Sequence, residues 1–380
     1  MKKIFTFLLT AVTLIGLSSC NKNNPQVPLQ DDQDAPMGRL TLHIGVPDEG
    51  TKSASTERVD NQINYVQVLV FNGNNLETSR YEDLHNTPKT NGETELSITT
   101  RTGNKTVYAI LNAPRLNVLT LSALESSLSD LAQNSPTNLV MSGKQTVEVA
   151  KFDANAVPAQ NAQTVNIFVK RLAAMIQLDA VTVNFNGTSL EGGSFNITEI
   201  YLKNVVGKAP YGVSGASTGN TTTGLPIELS DSDLSNAAYW YNFNTKKSGA
   251  PGVTVDGFAT NCNVIGTPTS LDRDLFAYPN KSDSDATSES FSPRYTRLVI
   301  HALINVPASY RSEALDNKDS YYVFDLPKLA ANKIYKISNI NITMLGKDND
   351  NSDEKTPVGS IRPVIKVDEW SDTVTLNYEM

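Results

Sequence analysis

Histidines and cysteines are few in this sequence and lie far apart along it, and among its 40 Asp and Glu residues no spacing singles out a pair for acid–base work. Histidines stand only at His43, His85 and His301, and none has the H-E-x-x-H or other paired spacing that puts two imidazoles on one metal. His43 and His301 fall in strand-like runs, where a packed or solvent-facing structural histidine is the better account. A G-x-S-x-G match occurs as Gly215-Ala216-Ser217-Thr218-Gly219, but it lies in the Gly/Ser/Thr/Asn-rich stretch "GVSGASTGNTTTG" without the strand-then-helix pattern that exposes a nucleophilic serine. No Walker-type phosphate loop and no G-x-G-x-x-G turn stands in the sequence. In "GKDNDNSDE", Asp348, Asp350 and Ser352 copy the first alternate positions of a calcium loop. Its sixth position, however, is Asp353 where Gly is needed, and its twelfth is Gly359 where Glu is needed, so a solvated acidic turn is expected. The cluster Tyr239, Trp240, Tyr241 and Phe243 in "AAYWYNFNT" has the faces to stack on a sugar, although packing claims such clusters more often. Catalytic residues: none are expected, nor a metal, a cofactor or an enzymatic activity.

The two cysteines carry more information. Cys20 closes "MKKIFTFLLTAVTLIGLSSC", in which two lysines precede an apolar run from Ile4 to Leu17 and a set of small residues. This is the anatomy of a secretory leader, and the run is shorter than the ~20 residues a bilayer span needs. Leu17-Ser18-Ser19-Cys20 resembles a bacterial lipobox, which implies removal of residues 1–19 and a lipid on Cys20. Cys262 is then alone, so an exported chain has no intramolecular disulfide and rests on its core. A small packed side chain is the expected role of Cys262.

These residues need a scaffold, and 380 residues with 39% hydrophobic and 19% charged content suffice for one. Single cores stop growing near ~250–300 residues, so two domains are expected. The formal net charge of -8 and the lack of a Lys/Arg cluster argue against a nucleic-acid partner. Residues 20–38 are polar, acidic and Pro-containing, and read as a flexible tether.

The rest reads mostly as β. In "RLTLHIGV" Leu40, Leu42, Ile44 and Val46 alternate with polar or small residues, and in "DTVTLNYEM" Val374, Leu376, Tyr378 and Met380 do the same. An amphipathic strand is thus expected near each end of the chain. "INYVQVLVFNGNN" is apolar on both faces, with Val66, Val68 and Val70 opposite Tyr65, Leu69 and Phe71, and Asn72-Gly73 offers a turn. Further β-rich runs include "TELSITT", "KTVYAILNAP", "QTVEVA", "RLVIHALINV", "YYVFDL", "KIYKISNINITML" and "RPVIKVDEW". Their spacing suggests sandwiches. One helix is expected in "TLSALESSLSDLAQN", where Leu121, Leu124, Leu128 and Leu131 recur at helical spacing and Ser122 with Glu125 has the spacing of a capping box. A domain junction is expected near Lys170-Arg171, giving an N-terminal domain over 39–171 and a C-terminal domain over 172–380.

The ordered set of "RLTLHIGV", "INYVQVLVFNG", "GNKTVYAILNAP", "VKRLAAMIQL" and "ANKIYKISNINITMLG…GSIRPVIKVDEW" behind a lipobox resembles the Bacteroidales fimbrillins, subunits of type V pili. The resemblance covers nearly the whole mature chain. It implies two β-sandwich domains in tandem, transthyretin-like with Greek-key connections, and a short helix in the first. It further implies passage through the lipoprotein export machinery to the outer membrane and then residence in an extracellular fimbrium. A trypsin-like, Arg-specific protease would cut in the loop after the first strand, with Arg58 in the 47–62 loop as the matching residue and Lys52 as the weaker alternative. Loss of the first strand would open an apolar groove, filled by the C-terminal strand (about 371–380) of another subunit. The implied partners are other pilin subunits, including accessory tip or anchor subunits, and host or bacterial surface receptors. Alternative roles are an accessory tip or anchor subunit, or a monomeric glycan-binding surface lipoprotein.

Overall fold

The structure, a computed structural model, describes residues 35–46, 61–153, 155, 162–215, 224–241, 253–254, 269–282, 293–350, 368–369 and 375–379. Residues from Pro36 onward form one compact unit. Its first ten elements are β1 (Met37–Gly45), β2 (Tyr65–Asn72), β3 (Asn75–Asp83), β4 (Glu93–Arg101), β5 (Gly103–Leu111), α1 (Leu121–Ser126), β6 (Leu128–Asp130), β7 (Met141–Val149), β8 (Gln163–Phe168) and β9 (Lys170–Arg171). They build a five-stranded sheet in the order β3-β2-β5-β7-β9 and a three-stranded sheet in the order β4-β1-β8.

The apolar faces of these two sheets meet in one cluster. Val66, Val68 and Val70 of β2 and Val107, Ala109 and Leu111 of β5 pack there with Leu40, Leu42 and Ile44 of β1. Leu69, Phe71, Tyr108 and Ile110 point from the five-stranded sheet into a second, larger cluster shared with residues 172–342. Burial on both faces is what an apolar run without alternation in "YVQVLVF" requires. The β2–β3 hairpin turns on Asn72-Gly73, with Gly73 in the left-handed region at φ +57°.

The remaining elements are β10 (Ala174–Val183), β11 (Ser194–Lys203), β12 (Lys208–Pro210), β13 (Val213–Ser214), β14 (Leu225–Pro226), α2 (Asp231–Leu234), β15 (Val253–Thr254), β16 (Thr269–Ala277), β17 (Arg297–Val306), β18 (Leu315–Asp325), β19 (Lys333–Ile342), β20 (Asp368–Glu369) and β21 (Thr375–Glu379). One sheet runs β16-β10-β19-β20 with β21 also on β19, and the other runs β15-β11-β17-β18. The larger cluster fills the space between them and continues onto the five-stranded sheet. Polar bonds cross the same seam. The buried Tyr278 hydroxyl lies 2.6 Å from Ser129 Oγ and accepts from Asn134 Nδ2 at 2.8 Å, and Ser142 Oγ donates to the Tyr211 carbonyl at 2.6 Å.

The helix is shorter than its leucine spacing implies. It ends at Ser126, Leu128 enters strand β6 and is exposed, and Leu131 belongs to a 3₁₀ turn. The capping box expected of Ser122 and Glu125 is absent: Thr120 is the N-cap and accepts from the Ala123 N–H at 3.2 Å. Glu125 is drawn away by stronger partners, accepting from the Tyr108 hydroxyl at 2.5 Å and pairing with Lys144 at 3.0 Å. A true capping box stands instead at Ser230 and Asp233, at the start of α2.

Candidate functional site

β1 is the central strand of its sheet. It runs antiparallel to β4, with Leu40, Leu42 and Ile44 opposite Ile98, Leu96 and Thr94. On its other side it runs parallel to β8, with the same three residues opposite Gln163, Val165 and Ile167. Leu40, Leu42 and Ile44 are 0%, 0% and 1% exposed, and burying three such side chains is worth about 5–9 kcal/mol. The strand spans 37–45, so Val46 lies just past its end, half-buried against the same cluster. His43 faces outward beside Glu95 at 3.6 Å.

Both neighbours depend on β1 for their ladders. Among the described residues β4 and β8 are hydrogen-bonded in a sheet to β1 alone. Taking β1 out would therefore leave two facing strand edges over Leu96, Ile98, Val165 and Ile167, an exposure that native sheets avoid.

The segment that follows β1 leaves and returns at one place. The Val46 N–H donates to the Gly92 carbonyl at 3.2 Å, and a Cβ built on Gly92 would meet Asn61 Cβ at 3.4 Å. Asn61 and Gln62, which close the expected 47–62 loop, are half-buried and hydrogen-bonded to the fold. Asn61 Oδ1 accepts from Arg171, and Ile63, 0% exposed, exchanges backbone bonds with Lys89. Asn112, at φ 57°, accepts from the Asn64 N–H at 2.7 Å and donates to the Gln62 carbonyl at 2.7 Å. Residues 47–60, with Arg58 and Lys52, lie outside the described residues, as do Cys20, Cys262, Phe243, Val374 and Met380.

Side chains absent from the sequence-based expectations tie the flanking strands to the sheet behind them. Glu77 on β3 accepts from Thr100 Oγ1 at 2.8 Å and from the Arg101 N–H at 2.5 Å, both on β4. Its second oxygen is 2.8 Å from Lys105 Nζ, whose side chain is 1% exposed. Burial pushes the Glu77 carboxyl up, but the bonds from Lys105, Arg101 and Thr100 outweigh it and hold the group below its ordinary value. On the other side Gln163 of β8 donates to the Glu148 carbonyl at 2.9 Å and accepts from the Ala150 N–H at 3.1 Å.

At the other end of the chain, β21 pairs in parallel with β19 of the same molecule, Leu376 opposite Ile337 and Tyr378 opposite Ile340. The tail that leads there is rooted at Asp350. This carboxylate accepts from the Tyr201 hydroxyl at 2.7 Å and lies 3.2 Å from Lys203 Nζ, which also donates to the Asp350 carbonyl at 2.6 Å. Asp348 pairs with Lys318 at 2.5 Å. Within the described part of the acidic turn, both aspartates thus pair with lysines of the protein.

The other chemistry-bearing residues are built into the scaffold. His301 stacks on Tyr321 at 4.1 Å and lies 2.8 Å from both Thr198 Oγ1 and an Asp319 oxygen. His85 stacks on Tyr65. Trp240 is 8% exposed and donates its indole N–H to the Leu234 carbonyl at 2.9 Å, while Tyr239 and Tyr241 pack against the larger cluster. No group of three His, Cys, Asp or Glu suited to a metal occurs among the described residues.

With this geometry in place, comparison with known proteins gives a consistent picture. The family model for the major fimbrial subunit protein (FimA) matches residues 39–231, just over half of the chain. A candidate fimbrium tip subunit of Parabacteroides distasonis, Fim1C, is 25% identical over 231 residues, which is 56% of this chain. The chain covers 60% of the length of that curated relative. Among solved structures, a candidate cell adhesion protein from Bacteroides eggerthii aligns over 90% of this chain and 98% of its own, at 18% identity and a TM-score of 0.53. A fimbrilin (FimA) from Porphyromonas gingivalis aligns over 90% and 97%, at 15% identity and a TM-score of 0.53. These two likenesses establish a common fold. The extent of the family match establishes the kinship: the chain belongs to the FimA family of major fimbrial subunit proteins.

Proposed function

We propose that the chain is a polymerising subunit of a cell-surface fimbrium, exported as a lipoprotein on Cys20, cut after Arg58 and assembled by strand exchange. The observation that carries this reading is the position of β1, held between two strands that pair with nothing else in a sheet among the described residues. A cut in 47–60 would sever β1 from the fold without breaking any other strand, because Val46 and Asn61 flank the cut and Ile63 is independently anchored.

The acceptor so created takes an extended apolar strand by β-augmentation. The proposed occupant is the C-terminal strand of a second copy, whose Val374, Leu376, Tyr378 and Met380 repeat the period of Leu40, Leu42 and Ile44. Such a head-to-tail contact does not close on itself and grows a fibre. Association costs of ~4–15 kcal/mol offset much of the burial, so filament lifetime rests on slow strand withdrawal. The division into 39–171 and 172–380 belongs to this same reading: the first part carries the groove and the second the donor.

Two observations favour other roles within the family. The curated relative is named as a candidate tip subunit, and a tip would use the same groove once, at the end of the filament. The cis pairing of β21 on β19 is what a monomeric surface lipoprotein would keep; in a stalk subunit it must be released before donation. The test is to treat the purified mature chain with limiting trypsin, identify the new N-terminus by mass spectrometry and look for SDS-resistant ladders and filaments. Ladders following a cut after Arg58 support the stalk; a cut chain that stays monomeric contradicts it.

A further inference from the structure

The two walls of the β1 groove have a problem that strand removal creates. Without β1, β4 and β8 lose every sheet hydrogen bond they make among the described residues. They would stand about two strand spacings apart, roughly 9.5 Å, over an apolar floor of Val66, Val68, Val107 and Ala109. Hydrophobic surface so exposed favours collapse of the walls toward each other. A collapsed groove cannot accept a strand.

The structure already contains bonds that do not depend on β1. At the C-terminal end of β4, Glu77 holds Thr100 Oγ1 and the Arg101 N–H, and is itself fixed by Lys105. Arg80, also on β3, donates to the Ser97 carbonyl of β4 at 2.5 Å. At the start of β8, the Gln163 amide bridges the Glu148 carbonyl and the Ala150 N–H of the five-stranded sheet's side. One donor and one acceptor on a primary amide reproduce what a paired backbone residue would offer.

The register places the Glu77 and Gln163 braces at one end, with the Arg80 bond to Ser97 at mid-strand opposite Thr41. Thr100 and Arg101 lie opposite Gly38 and Met37, and Gln163 lies opposite Leu40, all at the N-terminal end of β1. The other end has backbone restraints instead. β8 runs directly into β9, which pairs with β7, and a Cβ on Gly143 of β7 would collide with the Phe168 carbonyl. Only glycine permits that approach.

We propose that Glu77 and Gln163 are positioning residues for strand exchange, holding β4 and β8 at the spacing of the missing strand after β1 has left. This rests on the strand-removal reading above. Glu77 acts from β3 and Gln163 toward β7, so each ties one wall to the backing sheet and neither needs an occupant in the groove. In the uncut chain β1 sets the spacing of the walls itself, so there the braces add to stability without being needed for the spacing.

The experiment is hydrogen exchange with mass spectrometric readout on the mature chain, uncut and after limiting trypsin, for the native sequence, Gln163→Ala, Glu77→Ala and Glu77→Gln. Uncut, each substitution should change exchange in β4 and β8 no more than in the five-stranded sheet behind them. Once cut and freed of the 20–58 fragment, Gln163→Ala should speed exchange in β8 roughly tenfold, and Glu77→Ala should do so in β4. Glu77→Gln, made together with Lys105→Met so that no buried ammonium is stranded, keeps an acceptor for Arg101 and Thr100 and should restore most of the protection. If Glu77→Ala fails to fold because Lys105 is left buried, Glu77→Ala with Lys105→Met removes the stranded charge and gives the same readout. Uptake of a synthetic peptide of residues 371–380 by the cut chain should slow in step with the lost protection. Equal exchange in all cut chains overturns the braces and leaves strand removal standing. A 20–58 fragment that stays bound after the cut overturns strand removal and the braces with it.

Discussion

Leu42 stands in register with Val165 across a parallel ladder, in a strand whose other neighbour, β4, is antiparallel. The groove around β1 is therefore polar in direction: a replacement keeps both ladders only if it enters in the orientation of β1. In a filament built by the proposed strand exchange, that asymmetry would fix the orientation of each donor strand.

Leu42→Ala in the uncut chain should destabilise it by about 2–5 kcal/mol, since Leu42 is 0% exposed at the centre of the smaller cluster. Urea unfolding followed by circular dichroism measures this. A change below about 0.5 kcal/mol, the size of an ordinary surface effect, would mean that β1 is not an integral part of the core.

Much of this strand was legible in the sequence, because a buried face on a pleated strand imposes period two on Leu40, Leu42 and Ile44 whatever the partner. Two-sided burial of β2 was equally visible in Val66, Val68 and Val70 against Leu69 and Phe71. The edge strand β3 escaped: it is polar on both faces, and Asn75–Asp83 shows no apolar period to read. The helix was overextended because Leu128 and Leu131 continue a 3.6 spacing by coincidence, while Ser127 already has extended backbone at ψ 142°. The braces at Glu77 and Gln163 were invisible for a deeper reason. Their partners at Thr100, Arg101, Glu148 and Ala150 are set by long-range register, which no local pattern carries.

Glu77 gives the precursor an acid limb. Its folded pKa lies below the unfolded value, so its contribution is present above the ordinary glutamate range and is lost as pH falls through the depressed folded value. Thermal unfolding of the uncut chain should therefore stay level from neutrality to about pH 5 and decline below it. In Glu77→Gln the decline should be shallower. An identical decline in both would assign the acid limb to other carboxylates.

Leu376→Asp with Tyr378→Asp should stop ladder formation while shifting the melting temperature of the uncut monomer by less than about 2–4 °C, the scale of a 1 kcal/mol change in a domain of this size. The cis ladder of β21 lies on β19, and the donor reading requires the monomer to keep its core without it. Differential scanning calorimetry distinguishes the cases. A large drop would make the strand part of its own monomer's core and favour the monomeric lipoprotein.

Cys20→Ala should abolish incorporation of labelled palmitate and leave the protein off the outer membrane. Continued labelling of this variant would refute the lipobox.

The central claim, that the groove left by β1 is filled by the tail of another copy, is tested most directly by complementation. One variant keeps the cleavable loop and carries Leu376→Asp with Tyr378→Asp; the other keeps its tail and carries Arg58→Ala with Lys52→Ala, which leaves trypsin no site in 47–60. After limiting trypsin neither alone should assemble. Mixed, they should give an SDS-resistant dimer and stop there, because the mixture holds one kind of groove and one kind of donor. Assembly by either variant alone, or a mixture that stays monomeric, would contradict exchange between β1 and the C-terminal strand.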